Sequence, residues 1–215
     1  MNILIMGCSY GVPNYVDPLG APPTDHTEFL LRDLGYNVYN QAINGGSNSK
    51  TLAKGLEFAN SFNETIDWII WFHTDIGRED FKQIDSNQPL DNVIEDQAKI
   101  IYDQAYNFHV SHPLSKWIII GGLCSIHKVY HNNPFHNYII PNWLNDIAEE
   151  DIPDVHVLTI PDSNTDINEL IRYTDKVLMI YDFMSKSKYF PDDSHPGTEA
   201  HYKLTQRIHK ICTKH

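Results

Sequence analysis

Apolar residues recur along this chain at two spacings, and the alternation between them predicts strand followed by helix through most of its length. Ile3-Leu4-Ile5-Met6 is an unbroken apolar run that stops at Gly7-Cys8-Ser9-Tyr10-Gly11, as a buried strand does where it delivers small polar residues to the edge of a parallel sheet. The proline-bearing stretch from Val12 to Pro23 reads as a loop over the strand ends. A first helix is predicted from Thr24 or Asp25, with Asp25 and Glu28 at the spacing of a reciprocal cap. It turns Phe29, Leu30 and Leu34 inward and ends at Gly35. Tyr36 to Asn40 reads as a second strand. The turn from Ala42 to Ser49 then leads into a helix marked by Leu52, Leu56, Ala59 and Phe62. Gly45 and Gly46 in that turn allow close backbone approach, and free amides at the helix start can receive negative charge.

Ile66 to Phe72 is too apolar to alternate, which predicts a strand covered on both faces. It ends in His73-Thr74-Asp75-Ile76-Gly77-Arg78, and Glu79 to Pro89 is polar and irregular. Ile94, Ala98, Ile101, Ala105 and Phe108 mark the buried stripe of a long helix stopped by Pro113. Trp117 to Gly122 is a fourth strand and its turn. Ser125 to Pro141, crowded with histidine, tyrosine and asparagine, reads as an insertion on the sheet rim, followed by a short helix from Trp143 to Glu149. Val155 to Thr159 is predicted as the fifth strand, with a short helical piece near Ile167 to Tyr173 and an apolar segment from Val177 to Tyr181 beyond it. Phe190 to Gly197 enters a last helix whose stripe is Ala200, Leu204, Ile208 and Ile211. Strands and helices in this order predict a single domain over 1–215: an α/β fold, a three-layer α/β/α sandwich with a mostly parallel sheet. Its ligand crevice lies outside the carboxyl ends of the strands.

Composition narrows the function classes. A chain of 215 residues and 24.8 kDa can bury one full core. A formal net charge of -12 opposes non-specific attraction to nucleic acid or an anionic membrane, so neither is expected as a partner. The run from Met1 to Met6 is too short for a signal peptide and has no basic residue before it, and no stretch reaches membrane-spanning length. The expectation is a soluble protein, cytoplasmic or carried in a larger particle. The three cysteines, Cys8, Cys124 and Cys212, have neither metal-ligand spacing nor an even-numbered disulfide framework, which predicts reduced thiols and a small buried residue at Cys8.

Three chemistries compete for the polar residues. Gly7 and Gly11 do not make the G-x-G-x-x-G pattern and no phosphate-loop lysine follows, so no nucleotide cofactor is expected. Histidine occurs twelve times without an H-E-x-x-H, and His127, His131 and His136 sit where little regular structure orients them, so no metal is expected. Asp192, Asp193 and His195 have cation-binding atoms, yet Asp192 and His195 suit a different task equally well. A serine at a strand end becomes a nucleophile when a histidine accepts its proton and a carboxylate fixes that imidazole. Ser9 fits the first role, and the Asp192 to His195 spacing, stiffened by Pro196, fits the other two.

Four blocks taken together resemble the SGNH, or GDSL-type, hydrolase superfamily: Gly7-Cys8-Ser9-Tyr10, Asn44-Gly45-Gly46-Ser47-Asn48, His73-Thr74-Asp75-Ile76-Gly77-Arg78 and Asp192-Asp193-Ser194-His195-Pro196. Their order along nearly the whole chain is the family's order. The resemblance implies a flavodoxin-like fold with a five-stranded parallel sheet ordered 2-1-3-4-5. It also implies a serine ester hydrolase without cofactor: Ser9 as nucleophile, His195 as general base and later acid, Asp192 as orienting carboxylate. The backbone N–H groups of Ser9 and Gly45 would be the oxyanion donors. The family's asparagine after the third strand is Thr74 here, a hydroxyl in place of an amide. Arg78 is a candidate replacement, able to hold a substrate carboxylate or to pair with Asp75, and Asn48 is another nearby amide with the character of a cap or turn residue. The serine block has Cys8-Ser9-Tyr10 where the family has Asp-Ser. The chain in this respect resembles a divergent branch with phage and bacterial members. The implied substrate is a small acyl ester, such as an acetyl group, with an acylated carbohydrate favoured by the abundance of tryptophan and tyrosine. The competing expectation is a non-catalytic module of a larger assembly that keeps the scaffold and has lost the oxyanion asparagine.

Overall fold

The opening apolar run forms β1 (Asn2–Gly7), and the same logic repeats at each strand. The structure, a computed structural model, describes residues 1–8, 11–12, 25–74, 79, 90–122, 126, 128–130, 138–143, 189 and 195–214. After β1 come α1 (Thr27–Asp33), β2 (Asn37–Asn40), α2 (Asn48–Ser61), β3 (Trp68–His73), α3 (Leu90–Ser111) and β4 (Lys116–Gly121). A 3-10 turn (Lys128–Tyr130), β5 (Tyr138–Ile140) and α4 (Thr198–Lys214) complete the described elements. The five strands pair in parallel in the order β2-β1-β3-β4-β5. With two of the described helices on each face, the protein is a three-layer, flavodoxin-like sandwich.

Side-chain alternation builds both layers from the same strands. Ile3 and Ile5, Trp68, Ile70 and Phe72, and Ile118 and Ile120 face one way, where they meet Leu31 of α1 and Ala200, Leu204 and Ile208 of α4. Leu4 and Met6, Ile69 and Trp71, and Trp117 and Ile119 face the other way, against Leu52 and Ala59 of α2 and Ala98, Ile101, Ala105 and Phe108 of α3. Every residue of β3 is buried, as a strand with helices on both sides requires. Gly55 lets α2 lie close to the sheet, because a Cβ there would sit 2.6 Å from the Met6 sulfur.

Two expectations are corrected. In α1 the inward residues are Thr27 and Leu31, one turn apart, while Leu34 is the exposed C-cap. The helix is capped by His26, whose Nδ1 accepts the Glu28 N–H at 3.5 Å, and not by an Asp25–Glu28 box. Glu28 instead pairs with Arg32 at 2.6 Å and accepts from Asn40 at 2.8 Å, so it is unavailable as a cap. The fifth described strand is Tyr138–Ile140, inside the segment expected to be a rim insertion, and Ile126 and Tyr130 of that segment are buried in the core. The predicted strand at 155–159, the helical piece near 167–173, the apolar segment at 177–181 and most of the helix after Trp143 lie outside the described residues.

Candidate active site

All five strands point the same way, so their carboxyl ends share one edge of the sheet. Helix α4 starts at that edge. It runs parallel to α1, since His201 meets Thr27 at 2.9 Å and His209 meets Tyr36 at 2.8 Å, and α1 descends from the carboxyl rim to the start of β2. The end of β1, the turn holding Gly45, Thr74 after β3 and His195 before α4 therefore lie on one rim. Ser9, Asp75, Arg78 and Asp192 lie outside the described residues, as does Cys124.

Hydrogen bonds tie the first two blocks together. Pairing continues past β2, with Gln41 N–H donating to Ile5 at 2.8 Å and Ile43 N–H to Gly7 at 2.9 Å. Asn40 donates to the Gly11 carbonyl at 2.6 Å and accepts from the Ala42 N–H at 2.9 Å, so one side chain links the turns after β1 and β2. Gly45 then takes φ +64° in a turn closed by Gly46 N–H to Ile43 at 2.9 Å. Gly45 is exposed, and its N–H makes no hydrogen bond to another described residue.

Thr74 is buried and held by Asn48, whose Oδ1 accepts the Thr74 N–H at 2.9 Å and whose Nδ2 donates to the Thr74 carbonyl at 2.9 Å. Asn48 thus acts as a strand partner for one residue beyond β3, a supporting role. The Thr74 hydroxyl makes no hydrogen bond to another described residue. The start of α2 is not free to receive an anion as its sequence suggests. The Glu79 carboxylate accepts the Asn48 N–H at 2.6 Å and the Ser49 N–H at 3.3 Å, and Ser47 Oγ accepts the Lys50 N–H at 3.4 Å. The helix dipole is already met by a protein carboxylate. Beneath lies Tyr130, with its hydroxyl 3.4 Å from His73 Nε2; burial, and then the nearby Glu79 charge, push that phenol well above its usual range and keep it protonated.

His195 is half-buried, next to the buried Pro196, and Gly197 N–H donates to the Tyr189 carbonyl at 2.7 Å. Thr198 donates to Asp25 at 3.2 Å, fixing the entry to α4 against the entry to α1. Below it, the His26 and His201 rings lie 4.1 Å apart, tilted by 41°. Burial first, then the charges of His26 and His195, hold His201 well below 6.5, with a hydrogen bond to Pro196 opposing the shift. An unfolded chain takes up the proton that folded His201 refuses. Its contribution to stability is therefore complete above pH 6.5 and is lost as pH falls below that value. The thermal midpoint is expected to fall between pH 7 and 5, and His201→Asn to lessen that fall; an unchanged slope in the variant counts against the neutral imidazole. His109 and His112 shift the same way through burial, so the variant rather than the raw slope is the test.

Cys8 and Cys212 are buried thiols, and burial pushes Cys212 up to about 12, which makes it unreactive. Among the described residues no group of three or more His, Cys, Asp or Glu could hold a metal ion, and no helix is long and apolar enough to cross a membrane. A groove of about 700 Å³ runs between β5 and the distal half of α4, lined by Tyr138, Ile140, Arg207, Lys210, Ile211 and Lys214 among others. It lies away from the His195 end of that helix and is separate from the rim.

Sequence reasoning missed Asn40 and Glu79. Asn40, a polar residue closing a strand two residues before its bonded N–H, carried the local signature of an Asx turn. Glu79 bonds across 31 residues and carried no local signal.

No protein-family model matches this chain, and no curated protein does. One solved crystal structure aligns over 96% of this chain and 93% of its own at 15% identity, with a TM-score of 0.44.

Proposed function

We propose that this protein is a serine ester hydrolase acting on small acyl esters. In this reading Ser9 attacks the acyl carbonyl and His195, oriented by Asp192, takes the proton. The tetrahedral oxyanion accepts hydrogen bonds from the Ser9 and Gly45 N–H groups and the Thr74 hydroxyl. His195 then protonates the leaving alcohol, and water attacks the acyl-enzyme by the same route. The observation that carries the reading is the shared rim: exposed Gly45, whose N–H bonds no other described residue, Thr74 and His195 come from three separate blocks and lie at one edge of the sheet. Each oxyanion donor is worth roughly 3 to 4 kcal/mol in the transition state.

The tryptophans do not serve as a sugar-stacking surface, because all four are buried. An acetylated carbohydrate remains the narrower form of the proposal, resting on the resemblance and on exposed Tyr202 near the start of α4. One observation favours the non-catalytic reading: the Thr74 N–H and the Asn48 amide are bonded to each other, so the third donor is a lone hydroxyl. Reaction with a fluorophosphonate probe, followed by mass spectrometry, separates the two. Labelling at Ser9 that disappears in His195→Ala supports the hydrolase; an unlabelled wild-type protein supports the module.

A further inference from the structure

Two parts of the proposed oxyanion site, the Gly45 turn and Thr74, belong to segments 29 residues apart, since the first precedes α2 and the second follows β3. Nothing in their local sequence fixes their relative position. Asn48 supplies one link, a two-point hydrogen bond at 2.9 Å to the backbone of Thr74. That link is only as rigid as the backbone of Asn48 itself, which is the first residue of α2 and has no intrahelical acceptor for its N–H. Glu79 supplies the acceptor, at 2.6 Å, with Ser49 N–H shared at 3.3 and 3.4 Å between its two oxygens. Its side chain is buried, and charge-assisted bonds of this kind are stronger than those between neutral groups.

We propose that Glu79 is a positioning residue that locks the start of α2 to the end of β3, so that Gly45 and Thr74 are held as one unit. The chemical consequence rests on the ester-hydrolase reading above; the lock itself does not. A glutamine at 79 keeps the shape and one acceptor oxygen but presents an N–H₂ to an amide it should accept from. An aspartate keeps the charge and falls short by one methylene.

The test uses the full chain with Glu79→Gln and Glu79→Asp, an aryl acetate as substrate and amide hydrogen exchange at single-residue resolution. In Glu79→Gln, exchange at Asn48, Ser49 and Thr74 is expected to quicken by about tenfold, with the middle of α3 unchanged. The kcat is expected to fall by about 10- to 100-fold with KM within about twofold, and Glu79→Asp to recover part of it. Wild-type exchange at Thr74 in the glutamine variant overturns the lock. Quickened exchange with unchanged kcat overturns the positioning role. A wild-type protein that neither hydrolyses the ester nor takes the phosphonate label overturns the hydrolase reading and the positioning role with it, while the exchange contrast still decides the lock. Should Glu79→Gln fail to fold, Glu79→Asp carries the same exchange and kcat comparison.

Discussion

Ser9→Ala is expected to lower turnover of a short-chain aryl ester by roughly a million-fold, to the level left by binding and oxyanion donors alone. His195→Ala should lose about as much, and the double variant scarcely more than either, because a nucleophile and its base act as one unit. Both variants should keep the far-UV circular dichroism and urea midpoint of the parent. Turnover by Ser9→Ala equal to wild type sinks the nucleophile assignment outright. A sequential loss, with the double variant falling by the product of the single effects, would mean that the two residues work separately.

The second large effect is structural. Gly7 ends β1 with φ +134°, a backbone conformation that side chains rarely adopt, and a Cβ there would collide with the carbonyl oxygen and Cβ of Phe72 on the paired strand. Neither obstacle can be relieved by turning a flexible side chain, since both belong to the central strand. Strain of about 1–2 kcal/mol from the backbone and about 1–3 kcal/mol from overpacking add in Gly7→Ala, a large part of a domain's usual stability. Gly45→Ala is the matched control: φ is +64° but no described residue lies within 4 Å of a Cβ built there, so the expected loss is the backbone cost of about 1–2 kcal/mol. Urea unfolding of the two variants measures the difference. Equal losses would mean that β1 and β3 separate easily at Gly7.

The middle of the sheet was legible because its three central strands are apolar on both faces. Ile3 to Met6, Trp68 to Phe72 and Trp117 to Ile120 need no partner to be recognised, and strands alternating with helices leave few ways to connect them. The β5 edge was not legible. Tyr138–Ile140 is three residues long in polar surroundings, too short for a period, and the more apolar run at 155–159 outranked it. In α1, a cap placed one residue early, at Asp25 in place of His26, went with an expected face at Leu34 in place of Leu31. At the rim, the strand and helix pattern was enough to put Gly45 after the second strand, Thr74 after the third and His195 before the last helix, while their roles rest on the resemblance alone. Asn48, expected as a cap or turn residue, instead holds the backbone of Thr74, and the cap is its neighbour Ser47. What holds these parts together was hidden, because Glu79 and Asn40 act through contacts between segments distant in the chain, and such pairings are set by the fold rather than by neighbours.

The burial of every tryptophan decides what the protein's own light reports. Trp68, Trp71, Trp117 and Trp143 are all nearly inaccessible, and they flank the sheet on both sides. Their emission comes from an apolar medium, out of reach of iodide, and shifts to the red when the chain unfolds. Intrinsic fluorescence is thus a gauge of core integrity, and occupancy of the rim is better followed with a reporter carried by the ligand.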